Sequence, residues 1–543
     1  MEKSYSLNSN ESKEEERHRR KTRRRLIIIV VSSAILLALV AGAVILSTRT
    51  KSSSTKGQQS ILESICNVTL YQESCYSSIS SLNQSTKTAK QIFTLSLQVA
   101  LIELTSLKSS TFPENALTSN TCRRLIEDAA DHVSMSAASL SSATTHWAED
   151  ARTWLSTAVT DQQTCLESLT DPSANISVSA QTEIRAAMAN AAIFTSNSLA
   201  IVSKIPGLIR GRANISSQRR MGELAATEEV ELRPNATVAR DGSGDYETIG
   251  EAVRAVPKRS KRRFFIYVKT GEYVENVVVG KDCWNLVMYG DGSEKTVVSG
   301  SLNYVDDGLG PFDSATFIAE GRGFVAMDMG FKNTAGPEKF QAAAVRSSSD
   351  RSIFYRCRFD AYQDTLYAHS NRQFYRDCNV TGTIDFIFGN AAAVFQNCRV
   401  EARQPMRGQY NTITAQSKSD PNQSTGFAIH RCSIGPRGNV TARTYFGRPW
   451  ENYSTAVVMV SEIGGVIDPE GWSAWEPGSD APDSIFYGEY RNDGPGSGLG
   501  GRVTWPGYRP AIEDDEAEGF SVEKFIQGSE WIEGLNIRYD PHI

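Results

Sequence analysis

Hydrophobic and polar positions follow two different rhythms along this chain. Up to about residue 205, apolar residues recur at three- and four-residue steps. In "AKQIFTLSLQVALIEL" the set Ile92, Leu95, Val99, Ile102 defines one face of a helix. The same spacing runs through "CRRLIEDAADHVSMSAASL", "WLSTAVTDQQTCLESL" and "TEIRAAMANAAIFTSNSLAIVSK". Four such segments joined by short polar links predict an all-α four-helix bundle over 57–206. Beyond residue 235 the period changes to short β-rich runs punctuated by Gly and Asn.

Those runs repeat loosely. In "FVAMDMGFKN", "SIFYRCRFDA", "QFYRDCNVTG", "AVFQNCRVEA", "FAIHRCSIGP" and "AVVMVSEIGG", one position is held by Phe331, Phe359, Val380, Val400, Ile434 and Ile463. The spacings are 28, 21, 20, 34 and 29 residues. Units this short cannot bury a core alone, but stacked as coils of a solenoid they can. A β-sandwich is the rival architecture, yet it gives no reason for cysteines to share one repeat position, as Cys357, Cys378, Cys398 and Cys432 do. Neighbouring coils lie about 4.8 Å apart, within Cα reach of a disulfide. A bond Cys378–Cys398 or Cys398–Cys432 is therefore expected, with the pairing left open. Cys66 and Cys75 are placed to close a hairpin, and Cys122 with Cys165 to tie two helices.

A third pattern precedes both. Residues 26–46 form a run of 21 without a charge, behind the basic block "RHRRKTRRR". A bilayer span needs about 20 residues. The reading is a cytosolic basic tail (1–25), a single membrane anchor (26–48) and export of the remainder; a cleaved signal peptide is the alternative. Nine cysteines and, beyond residue 48, nine N-x-S/T sequons suit a secreted chain. The segment "IRGRANISSQRRMGEL", within a linker at 207–234, offers basic pairs to a processing protease.

Charge is divided between the halves. Residues 222–543 carry 33 basic and 44 acidic side chains, net −11, against a whole-chain net of −5, so the rest is +6. An acidic second half argues against nucleic acid as a partner.

Candidate chemistry follows from coil spacing. Gln341 to Gln363 is 22 residues and Asp364 to Asp385 is 21, each close to one coil. Winding would gather two amides and two carboxylates on one face. Adjacent carboxylates cannot both ionise cheaply, so one is held protonated. Arg448, 63 residues beyond Asp385, is a candidate cation to decide which. No G-x-S-x-G elbow is present, which argues against a Ser-His-Asp esterase. His369 and His430 read as structural.

Five pieces in order, "GEYVE", "QAAAV", "YQDTLY", "IDFIFG" and "GRPW", make the second half resemble a plant pectin methylesterase (pectinesterase). The first half resembles that family's inhibitor-like pro-domain, and the basic linker its processing site. The resemblance implies a right-handed parallel β-helix over 235–543 that acts on methyl-esterified homogalacturonan in the cell wall, with no metal or cofactor. It implies Asp385 as nucleophile, Asp364 as general acid and base, Gln341 and Gln363 as oxyanion donors, and Arg448 as the partner of Asp385. Phe388, Trp450 and Thr316 would contact substrate. A pectinesterase inhibitor, or the chain's own bundle, is an implied partner. "QAAAV" stands for the commoner "QAVAL", "YFGRPW" for "YLGRPW", and "QRRMG" is an unusual processing motif. Cys283 has no evident partner. The alternatives are another pectin-active solenoid enzyme, or an inhibitor or glycan-binding protein.

Overall fold

The computed structural model describes residues 55–82, 88–107, 117–141, 146–170, 176–204, 232–476 and 478–543. The basic tail, the expected anchor at 26–48 and nearly all of the basic linker lie outside the described residues.

Six helices form the first unit: α1 (Thr55–Cys66), α2 (Gln72–Ser81), α3 (Ala89–Ser106), α4 (Leu117–Ser139), α5 (Trp147–Ser168) and α6 (Val178–Lys204). The last four are the predicted ones; α1 and α2 add a hairpin closed by Cys66–Cys75, and Cys122–Cys165 joins α4 to α5. Thr88 starts α3 by accepting from the Gln91 N–H in a reciprocal capping box. The buried stripe of α3 is not the expected one. Ile92 and Leu95 are buried, but Ile102 is 59% exposed, and Phe93, Leu97, Ala100 and Leu104 face the core. Among the described residues only α6 is long and apolar enough to cross a membrane; it is more than half buried and packs as a bundle helix.

The second unit is a parallel β-helix, and the sandwich alternative falls. Strands assemble into sheets of eleven, seven and eight members, every ladder parallel. Phe331, Phe359, Val380, Val400, Ile434 and Ile463 are consecutive register partners in the eight-stranded sheet, so the repeat seen in the sequence is one rung per coil. The lumen is packed with aromatics in stacked order: Phe354 on Tyr375 at 5.1 Å and Tyr375 on Phe395 at 4.5 Å. One corner turns on a single left-handed residue per coil, Arg356, Asp377, Asn397 and Arg431, each just before a repeat cysteine.

Those cysteines correct an expectation. Cys357, Cys378, Cys398 and Cys432 are all buried free thiols, so neither Cys378–Cys398 nor Cys398–Cys432 is bonded. In-register parallel neighbours point the same way about 4.8 Å apart, whereas a disulfide needs Cβ atoms turned toward each other at about 3.5–4.5 Å. The thiols lie instead against backbone carbonyls of the neighbouring strand, Cys378 Sγ at 3.2 Å from Phe354 O and Cys398 Sγ at 3.4 Å from Tyr375 O. Cys283 is also free and buried.

The seven-stranded sheet carries the site. Its strands run in chain order: β1 (Val277–Val279), β2 (Phe317–Ala319), β3 (Val345–Ser347), β4 (Leu366–Ala368), β5 (Ile387–Gly389), β6 (Asn411–Gln416) and β7 (Thr444–Pro449). On its outer face Arg346, Tyr367, Phe388, Ala415 and Arg448 are successive register partners.

Phe359 is fully buried against Phe331, Phe354 and Tyr375. Phe359→Ala should therefore cost about 3–5 kcal/mol. Equilibrium denaturation of residues 232–543 measures it, and a cost below about 1 kcal/mol would contradict the packed-lumen account.

Candidate active site

Winding brings the predicted acids together. Leu366 of β4 pairs with Ile387 of β5, and Asp364 and Asp385 each lie two residues before these partners. The Asp364 N–H donates to the Ile384 carbonyl at 3.0 Å, fastening the two turns to each other. Both acids adopt left-handed backbone, φ 64° for Asp364 and 51° for Asp385. Asp tolerates this region better than most residues, but it is sparsely populated and concentrates at functional sites.

Arg448 reaches Asp385 from β7 with two hydrogen bonds, Nε to Oδ1 at 2.9 Å and Nη2 to Oδ2 at 2.6 Å. Such fork-to-carboxylate pairing fixes orientation as well as charge. The guanidinium is itself held, with Nη1 donating to the Trp475 carbonyl at 3.2 Å and its plane 4.2 Å from the Trp475 ring. Among the described residues no cation is paired with Asp364. Burial first, and the negative charge of Asp385 second, push its carboxyl well above the ordinary carboxylate range, while Arg448 opposes this weakly. The pair is thus differentiated: Asp385 is clamped by arginine, and Asp364 beside it binds its proton more tightly than an ordinary carboxyl.

Gln363 lies on the coil next to Gln341, its carbonyl accepting from the Ala342 N–H at 3.3 Å. The Gln341 Oε1 is buried without a partner, and among the described residues neither side-chain amide is bonded to another protein group. Both amides are free to serve a ligand. Aromatic walls complete the cleft: Phe388 stacks on Tyr367 at 4.2 Å, and Trp450 lies 6.2 Å from Phe388 and parallel to Trp475 at 6.1 Å. Thr316 is not brought to the cleft. It is fully buried and its hydroxyl donates to the Lys332 carbonyl at 3.1 Å.

Sequence reasoning missed three contributors. Trp475 sits in "GWSAW", where a second tryptophan near the cleft arginine was the available signal. Tyr367, in "TLYAH", is one coil from Phe388 and on the same row. Thr412 donates its hydroxyl to Asp385 Oδ1 at 2.7 Å and accepts the Asp385 N–H at 2.9 Å; its 27-residue offset from Asp385 hides it.

The helical bundle lies over this cleft. Phe312, Tyr367, Phe388 and Ala415 belong to the bundle's hydrophobic cluster, with Trp450 and Trp475 packed against it. Asp150 of α5 bonds to the buried Arg372 at 2.8 Å and to Arg351 at 3.0 Å. Thr164 meets His369 at 3.1 Å, whose other ring nitrogen meets Ser348, so that histidine is structurally satisfied as expected. Gln163 bridges Glu167 of α5 and Glu451 of the cleft rim at 3.1 and 3.0 Å. Burial, reinforced by Glu451 and opposed by Gln163, raises Glu167 to about 8. A cavity of about 320 Å³ remains between the units, lined by Gln341, Tyr367 and Trp450 opposite Thr121, Thr164 and Glu167. Among the described residues no cluster of His, Cys, Asp or Glu suits a metal ion.

The parallel β-helix thus gathers two unlike carboxyls, two free amides and aromatic walls in one cleft. Residues 235–529 match the family model for Pectinesterase, and residues 60–201 that for the plant invertase/pectin methylesterase inhibitor. Pectinesterase 3 of Phaseolus vulgaris is 48% identical over 503 residues, 88% of this chain and 86% of that protein. Pectinesterase 1 of Arabidopsis thaliana is 47% identical, covering 88% of this chain and 87% of that one. The solved pectin methylesterase from carrot is 48% identical with a TM-score of 0.57, covering 58% of this chain and 100% of its own. The chain belongs to the pectinesterase family, and an inhibitor-family bundle precedes its catalytic unit.

The unequal carboxyls give a spectroscopic prediction. The infrared band of a protonated carboxyl, absent from Asp364→Asn, should persist at neutral pH and disappear only well above the ordinary carboxylate range. Asp385→Asn should shift that titration down and Arg448→Met should shift it up, because Asp385 raises and Arg448 lowers the Asp364 value. Opposite shifts would contradict the assignment.

Proposed function

We propose that the β-helical unit hydrolyses methyl esters of homogalacturonan in the cell wall, with Asp385 as nucleophile. An Asp385 oxygen adds to the ester carbonyl carbon, and the π pair moves to the carbonyl oxygen, where the Gln341 and Gln363 amides stabilise it; one such donor is worth about 3–4 kcal/mol in comparable sites. As the carbonyl re-forms, methoxide leaves with the Asp364 proton as methanol. Asp364 then takes a proton from water, hydroxide adds to the same carbon, and Asp385 departs as carboxylate. Phe388, Trp450, Tyr367 and Trp475 offer flat apolar faces to the sugar rings.

The observation that carries this reading is the doubly bonded Arg448–Asp385 pair beside a buried Asp364 with which no cation among the described residues is paired. Residues 232–543, the part that corresponds to the whole carrot chain, should release methanol from methyl-esterified pectin, and Asp385→Asn should lose about 10⁴-fold or more of kcat. Equal release by both would contradict the nucleophile assignment.

The docked bundle favours a second role for the first unit, as an inhibitor of its own catalytic unit and a brake awaiting a protease at the basic linker. The full chain should be less active than residues 232–543. Asp150→Ala removes the bundle's bonds to Arg372 and Arg351, and the full chain should gain roughly 10-fold, since a bond to a charged group is worth about 1.5–3 kcal/mol. The Glu167 shift sets a pH dependence. Its carboxyl binds a proton more tightly docked, about 8 against a usual 4.5. Docking is therefore strongest below the ordinary value and weakens as pH climbs from about 4.5 to 8. The activity ratio of full chain to free unit should rise over that interval, and Glu167→Gln should flatten it. A ratio that falls with pH would contradict the account.

A further inference from the structure

We propose that Thr412 is the positioning residue of this site and that it selects Asp385 Oδ2 as the attacking oxygen. The inference rests on the reading of Asp385 as nucleophile. Thr412 lies on β6, two residues before Thr414, the register partner of Ile387, and so directly beside Asp385 on the next coil. Its hydroxyl is used twice on the same residue: it accepts the Asp385 N–H at 2.9 Å and donates to Asp385 Oδ1 at 2.7 Å. One buried side chain therefore holds the backbone and the carboxylate of Asp385 together. The backbone needs holding, because φ of 51° is sparsely populated for a residue with a Cβ.

The donors around the carboxylate are unequal. Oδ1 accepts from Thr412 and from Arg448 Nε at 2.9 Å, whereas among the described residues Oδ2 accepts only from Arg448 Nη2 at 2.6 Å. A carboxylate oxygen offers two in-plane lone pairs. Both pairs of Oδ1 are engaged, and one pair of Oδ2 is left for the ester carbon. That pair forms the new C–O bond, the carbonyl π electrons move to oxygen, and their return expels methanol with the Asp364 proton. Without Thr412 only Arg448 holds the carboxylate, which can then tilt within that pairing, and the left-handed backbone of Asp385 loses the acceptor of its N–H.

Valine matches threonine in shape and lacks both hydrogen bonds; serine keeps both. In residues 232–543, Thr412→Val should lower kcat for methanol release from methyl-esterified pectin by about 10- to 100-fold, the usual scale for a misplaced reacting group. KM should stay within about twofold, and Thr412→Ser should recover activity to within about threefold of the parent. If the valine protein does not fold, Thr412→Ala against Thr412→Ser is read on the same terms. Full kcat in the valine variant, a serine variant as poor as valine, or a loss confined to KM would overturn the proposal. Asp385→Asn, assayed beside them, separates the two readings. Turnover by that variant would refute the nucleophile itself, whereas its inactivity alongside a fully active valine variant would refute only the role of Thr412.

Discussion

In-register winding of a parallel coil is the constraint on which the rest of this structure depends. It converts a sequence offset of 21 residues between Asp364 and Asp385 into adjacency on neighbouring strands. The same winding carries Arg448 and Thr412 to the same carboxylate from two further coils. Interior rungs of Phe, Val and Ile make a slip costly, because a one-residue shift would turn every buried side chain outward. Site geometry and core packing are thus one property. The acids can sit in left-handed turns because the stacked wall on either side determines their backbone.

The bundle adds electrostatic cover. The bundle covers the cleft and buries its walls, raising the energy of any unpaired charge there. Arginines of the β-helix meet this by pairing: Arg448 with Asp385, and Arg372 with Asp350 and Asp150. Asp364 meets it by binding its proton more tightly than an ordinary carboxyl. Glu167 does the same from the bundle side, sharing the Gln163 amide with Glu451. Removing the bundle rehydrates the cleft, so the burial that raises Asp364 is partly a property of the covered state.

Much of this was legible in the sequence because both units are periodic. Four helix stripes marked the bundle, and the rung residues Phe331 to Ile463 marked the coils. Coil-length offsets were enough to group Gln341, Gln363, Asp364 and Asp385. What escaped depended on direction rather than spacing. The repeat cysteines share a position, but parallel registry leaves their thiols side by side without a bond. Thr316 has the right neighbourhood in sequence, but its buried hydroxyl is taken up by the Lys332 carbonyl. Ile102 continues a helical stripe on paper, yet α3 is rotated so that Phe93 and Leu97 take the core. Thr412 sits on a coil lengthened by a loop, and its offset from Asp385 conceals that they touch.

The chemistry of the site turns on one proton resting on one of two neighbouring acids. Neutron diffraction from the full chain, crystallised near neutral pH in deuterated solvent, locates it directly. A deuteron on the Asp364 carboxyl, with Asp385 bare and held by Arg448 and Thr412, is the predicted result. A deuteron on Asp385, or on neither acid, would contradict it.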